Sequence, residues 1–206
     1  MGRVITIARQ FGSGGRELGR RLADDLHIAY YDKEILEEIA KRTDFSLHYI
    51  QQVVEKNPVP LFPIHIGSSF TATSNPLFDQ NLEIFRQQSE IIKEMAHNSD
   101  CVIVGRCADY ILKNDCHPFR IFVYADLDAR VERCRLRAKE GEDTSTKSLT
   151  KRIRQIDKGR RRYYEFYTSQ TWGAKENYDV LINTTGKDIK KLARIVAANF
   201  EDETSL

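Results

Sequence analysis

Val4-Ile5-Thr6-Ile7-Ala8-Arg9-Gln10-Phe11-Gly12-Ser13-Gly14-Gly15-Arg16-Glu17-Leu18 is the stretch on which the fold turns. Val4–Ala8 is a β-branched run, too short for a helix and apolar almost throughout. That is the signature of a strand buried on both faces, as in a parallel sheet. A glycine-rich loop follows from Arg9 to Gly15. Beyond it Leu18, Leu22 and Leu26 recur at i+4, the spacing of an amphipathic helix. Strand, glycine loop and helix in this order form the opening half of a βαβ unit.

The rest of the chain repeats the alternation. Short strands are expected at His27–Tyr31, Cys101–Val104, Arg120–Ala125 and Asp179–Asn183. Helices are expected after Asp32 (read as their cap), over Ser46–Glu55, Leu77–His97 and Asp188–Phe200, and across a charged region from Ala129 to about Tyr167 broken near Gly141–Ser145. Four of the five prolines fall in residues 57–76, which read as a loop excursion rather than a domain linker. Alternating strands and helices give an α/β fold, a parallel sheet covered on both faces. In such sheets ligands bind at the carboxyl ends of the strands. Arg9–Glu17, Asp32, Gly105–Asp109 and Asp126 are therefore the places for chemistry.

Composition narrows the classes. Of the 206 residues, 41% are hydrophobic and 30% charged, enough for a core and against wholesale disorder. Lys+Arg number 32 and Asp+Glu 30, so global charge points to neither a nucleic-acid partner nor an acidic tail. No apolar run approaches the about 18 residues of a membrane span, and no signal peptide is visible. Cys101, Cys107, Cys116 and Cys134 form no CxxC pair and read as reduced thiols of a cytoplasmic protein. The five histidines have no metal-ligand spacing, and no GxSxG marks a nucleophile.

In Gly12-Ser13-Gly14-Gly15-Arg16-Glu17 the glycines serve either a tight turn with φ > 0 or a cradle of main-chain amides at a helix N-terminus. The place between strand and helix favours the cradle. A Walker A loop, GxxxxGK[ST], uses its lysine on the β/γ-phosphates and its hydroxyl on Mg²⁺. Aligned on Gly15, this chain has Gln10 for the first glycine, Arg16 for the lysine and Glu17 for the hydroxyl residue.

Four segments taken together, IARQFGSGGRELGRRLA, VIVGRCADYIL, RIFVYADLDARVERCRLR and IDKGRRRYYEFYTSQTWGAKENYDVLINTT, resemble the cytidylate kinase-like family. The resemblance implies a P-loop NTPase-type sheet flanked by helices on both faces, with a helical acceptor-binding insertion and a basic helical lid. It implies a single domain: core 1–32, 98–128 and 175–206, acceptor region 33–97, lid and long helix 129–174. It further implies ATP and Mg²⁺, with small-molecule nucleotide substrates such as CMP as phosphoryl acceptors. Carried over by position, Gly12, Ser13, Gly14, Gly15, Arg16 and Glu17 would hold the donor phosphates. Arg106 and Asp109, with Asp32, would contact the acceptor. Arg130 and Arg133 match lid arginines, and Asp157 with Arg161 falls in the acceptor-contact region. The catalytic cations would be Arg16, Arg130, Arg133 and Arg161. Three positions depart from the family's pattern. Cys107 replaces the aspartate after Gly105-Arg106, Val104 replaces the carboxylate before it, and Asp32-Lys33-Glu34 replaces a threonine-glycine segment. A metal would then need ligands from Ser13, Glu17 or Asp32, and the same departures leave open a catalytically weak nucleotide- or phosphate-binding sensor.

Arg130 to Arg162 holds 13 Lys/Arg against 5 Asp/Glu, an excess of +8 in a chain whose total is +2. The run reads as an arginine-bearing lid, as a solvated helix face, or as a footprint for RNA. The lid is the reading adopted, a nucleic-acid or membrane partner is not expected, and a homo-oligomer is left open. Tyr163, Tyr164, Phe166, Tyr167 and Trp172 are expected to pack the long helix onto the body.

Overall fold

The computed structural model describes residues 2–55 and 76–201. All but the last residue of the proline-rich excursion expected at 57–76 lies outside them. Strands β1 (Val4–Arg9), β2 (Ala29–Tyr31), β3 (Cys101–Val104), β4 (Phe119–Tyr124) and β5 (Val180–Asn183) form one parallel sheet in the order β2-β3-β1-β4-β5. The helices are α1 (Gly15–Leu26), α2 (Glu34–Arg42), α3 (Leu47–Glu55), α4 (Pro76–Asn98), α5 (Ala108–Ile111), α6 (Leu127–Leu136), α7 (Thr146–Thr168) and α8 (Ile189–Glu201).

The three central strands β1, β3 and β4 are mostly apolar because each feeds two cores. Ile5, Ile7, Val102, Val104, Ile121 and Val123 point into the layer capped by α1 and α8. Their neighbours Val4, Ala8, Cys101, Ile103 and Phe122 point into the opposite layer, built with α2–α5 and α7. This period of two, buried on both faces, is what the opening stretch predicts. β1 lies between β3 and β4, so its carboxyl end, where the strand order reverses, faces the crevice.

Two boundaries differ from expectation. His27 does not open β2; it sits at φ 55° as the C-cap of α1. Asp32 does not cap α2. The helix begins at Glu34 with Lys33 at its N-cap, and the Asp32 main-chain amide donates to Glu34 Oε2 at 2.9 Å. The Asp32 side chain is buried and turned to other partners. Ser46 does cap α3, accepting from the Tyr49 amide at 3.2 Å. The aromatic residues of α7 pack as expected: Tyr163 and Tyr164 are buried, and Phe85 stacks on Tyr167 with ring centroids 4.0 Å apart.

Candidate functional site

The loop after β1 is held by its carbonyls. The Gln10 oxygen accepts from the Ser13 amide (3.3 Å) and hydroxyl (2.9 Å). Phe11 O accepts from Arg130 Nε at 2.8 Å, Gly12 O from Arg133 Nη1 at 2.7 Å, Ser13 O from Thr184 Oγ1 at 2.6 Å and Gly14 O from the Leu18 amide at 2.9 Å. In a trans peptide the C=O of one residue and the N–H of the next point in opposite directions. Pulling the Phe11 and Ser13 carbonyls outward therefore turns the Gly12 and Gly14 amides the other way. Among the described residues no acceptor meets the amides of Gly12, Gly14, Arg16 or Glu17. Gly12 and Gly14 adopt φ 77° and 86°, which only glycine takes without strain. The result is a nest of donors at the start of α1.

That nest borders a cavity of 570 Å³ lined by Gly12, Gly14 and Gly15. Arg9 reaches it from the end of β1, Arg16 from the first turn of α1 and Lys33 from the N-cap of α2. Arg133, Arg137 and Lys139 come from α6 and the turn after it, and Arg152 and Arg160 from α7. Among the described residues Glu142 is the one carboxylate lining it, and it is already paired with Arg152 at 3.0 Å. Asp32 anchors two cations from behind, Arg16 Nε at 2.6 Å and Arg9 Nη2 at 3.6 Å. Burial, followed by repulsion from Arg160, drives the Arg9 guanidinium well below its ordinary pKa, and Asp32 opposes the shift.

A second, small pocket of 50 Å³ adjoins Arg9, with Gly105, Arg106, Asp109, Arg160 and Tyr164 in its wall. Gly105, Arg106 and Cys107 have φ values of 77°, 61° and 56° in succession. Two non-glycine residues in this region cost about 1–2 kcal/mol each, strain of the kind that gathers where a structure serves a ligand. Asp109 is buried and accepts from Tyr164 Oη at 2.7 Å. Burial pushes its carboxyl up to about 6, with the Tyr164 hydrogen bond pulling the other way. The folded chain thus keeps a proton that the unfolded chain releases near pH 4. Stability from this group is full in acid and declines by about 3 kcal/mol as pH rises from about 4 to 6. Asp109→Asn is expected to remove that decline. The readout is the urea midpoint at about pH 4 against about pH 6.5, and a variant that keeps the wild-type slope contradicts the assignment.

Not every residue expected at the site lies in it. Arg161 faces solvent and lines neither cavity; its neighbour Arg160 does, because one residue turns the helix by about 100°. Arg130 and Asp157 form a part-buried ion pair, and Asp157 Oδ1 accepts from the Phe11 amide at 2.7 Å. They brace the loop against α6 and α7, and neither lines the two cavities. Glu17 lies outside the 570 Å³ cavity, ion-paired to Arg137 and, at 2.9 Å, to Arg21. Burial opposes its ionisation, but these arginines hold it below the usual carboxylate range. Ser13 is buried with its hydroxyl spent on Gln10. Arg16, Arg106, Asp109, Arg133 and the loop glycines do line the two spaces. The basic run divides: Lys147, Lys151, Arg154, Lys158 and Arg161 face solvent, while Arg133, Arg137, Lys139, Arg152 and Arg160 line the cavity.

Sequence reasoning marks the segment from Arg9 but gives that residue no role, and it misses Arg160. Half-buried Ile156 and buried Tyr163 set an inward ridge on α7 that Arg160 shares, which is the signal for it. Arg9 stands at the carboxyl end of a strand buried on both faces, where a cation has no structural reason to be.

The sequence model of the cytidylate kinase-like family matches residues 4–186. The chain belongs to that family. Among solved structures, a cytidylate kinase-like chain such as this is similar to an uncharacterized protein from Eubacterium ventriosum, 27% identical, TM-score 0.69, covering 97% of this chain and 98% of that one. Shikimate kinase from Acinetobacter baumannii in complex with shikimate is 13% identical at TM-score 0.54, covering 100% and 97%. Shikimate kinase from Bacteroides thetaiotaomicron is 15% identical at TM-score 0.56, covering 97% and 98%. The fold is that of P-loop kinases. Comparison with curated proteins gives no match. Among the described residues no helix is long and apolar enough to cross a membrane.

The family implies a nucleotide and Mg²⁺, and the residues present answer differently to each. Polyphosphate oxygens fit the unpartnered amides and the cationic wall. Mg²⁺ does not find its usual protein oxygens. The Ser13 hydroxyl and the Glu17 carboxylate are committed as described. Asp32 spends Oδ2 on Arg16 and leaves its buried Oδ1 3.6 Å from Arg9 with no hydrogen bond to accept among the described residues, and Val104 is a fully buried apolar residue. Among the described residues no group of three His, Cys, Asp or Glu could hold a metal.

Proposed function

We propose that the chain is a nucleotide-dependent phosphotransferase. The donor polyphosphate lies on the open amides of Gly12, Gly14 and Arg16 in the 570 Å³ cavity, and the acceptor enters beside Arg106, Asp109 and Arg160. The observation that carries this reading is the open amide face of the glycine loop on a cavity that, among the described residues, eight cations line. Transfer breaks the bond from the γ-phosphorus to its β-bridging oxygen and forms one to an acceptor oxygen. Such a reaction asks the protein for positioning and charge neutralisation, which arginines supply. Arg16, Arg133 and Arg160 would neutralise the transferring group, α2–α4 frame the acceptor side, and the turn between α6 and α7 close over the phosphates as a lid. By family the first acceptor to test is a nucleoside monophosphate such as CMP, and the four thiols suit a cytoplasmic setting.

Coupled ADP release, measured with ATP and each common nucleoside monophosphate in turn, tests it. Acceptor-dependent turnover of about 1–100 s⁻¹ is expected with one of them. Tight ATP binding with no turnover on any acceptor overturns the enzymatic reading. It favours a nucleotide sensor instead, a reading supported by the commitment of Asp32 and Glu17 to arginines.

A further inference from the structure

We propose that the donor site takes its polyphosphate as the metal-free anion, with Arg137, held at the cavity by Glu17, standing in for the divalent cation. The inference rests on the donor-site reading above and adds to it the ionic form of the ligand.

Mg²⁺ is bound in such sites by phosphate oxygens together with one or two protein oxygens and water. In a Walker loop the hydroxyl after the lysine is one of those oxygens. Here that position is Glu17, at the first turn of α1, and its carboxylate pairs with Arg137 and Arg21. A residue type that could bind a cation is thus used to bring a guanidinium to the phosphate side. Arg137 lines both the 570 Å³ cavity and an adjoining groove of 620 Å³, and the carboxylates Glu17, Asp24, Asp32 and Glu34 line that groove but not the cavity. It follows the last residue of α6, at the start of the turn that also carries Lys139.

The electrostatics agree. Arg9, Arg16, Lys33, Arg133, Arg137 and Lys139, with the two α7 arginines, surround the space, while the carboxylates that touch them are Asp32, Glu17 and Glu142. A divalent cation brought into this ring is repelled by the wall. A polyanion that has shed its metal carries more charge for the same wall to satisfy. Guanidinium groups also offer paired donors matched to phosphate oxygens, so the metal's bridging role has a chemical substitute.

Isothermal titration of ATP into the full chain, once in EDTA and once in excess Mg²⁺ at equal ionic strength, is the test. Expected is saturable binding in EDTA that Mg²⁺ leaves unchanged or weakens. Arg137→Ala is expected to weaken binding in EDTA roughly tenfold and to shift the preference toward the magnesium complex. The Arg137 side chain is 54% exposed, so the variant should fold, and its circular dichroism verifies that. Binding that requires Mg²⁺ overturns the inference and leaves the donor site standing. An Arg137→Ala variant with unaltered affinity in EDTA overturns the role of Arg137. No binding by a folded protein in either buffer removes the donor site itself.

Discussion

Asp32→Asn is expected to lower stability by about 3 kcal/mol, and ATP is expected to restore much of that loss. Asp32 is the carboxylate that meets both Arg9 and Arg16. The Arg9 side chain is 11% exposed and already disfavoured by burial and by Arg160. Removing the counter-charge strands a buried guanidinium, which costs far more than losing an exposed pair. The Arg16 side chain, at 52% exposed, can turn to water and adds little to the cost. A bound polyphosphate would supply the missing negative charge, so the variant should gain more from ATP than the wild type does. Urea midpoints with and without ATP measure both effects. Equal midpoints for the two proteins would mean that Asp32 is not the counter-charge of the cluster.

The second large effect is expected at Asp157. One of its oxygens pairs with Arg130, whose side chain is 8% exposed, and the other accepts from the Phe11 amide. Arg130 in turn holds the Phe11 carbonyl. Asp157→Ala therefore cuts the link between α7, α6 and the glycine loop and leaves a buried charge. A loss of about 3–5 kcal/mol is expected, with weaker ATP binding in the protein that remains folded. Asp157→Asn keeps an acceptor for the Phe11 amide and removes only the charge, so it should cost less and preserve more of the affinity. Comparing the denaturation and titration curves of the two variants separates charge from loop positioning. If Asp157→Ala is as stable as wild type, the brace is not what holds the loop.

Much of this architecture is written in local pattern. The alternation through Val4–Ala8 and Cys101–Val104 serves two cores, and this fixes a parallel sheet with helices on both faces. Glycines between a strand and a leucine-periodic helix locate the nest. What the pattern does not carry is the pairing of charges across elements. Asp32 looks like a cap because it precedes a helical run, yet it is drawn to Arg9 and Arg16 from β1 and α1. Asp157 and Arg130 match family positions for ligand contact, but their long-range partners are each other and Phe11. Arg160 and Arg161 differ only in helix phase. The left-handed Arg106 and Cys107 carry no compositional mark at all, since neither residue type signals positive φ.

The central claim is that main-chain amides of the glycine loop, with their ring of arginines, grip a nucleotide polyphosphate. The titration of ATP into the wild-type chain tests it most directly. Saturable binding at one site per chain, lost in Arg16→Ala, is the predicted result. A folded protein that gives no heat with ATP, or that binds equally well without Arg16, would contradict it.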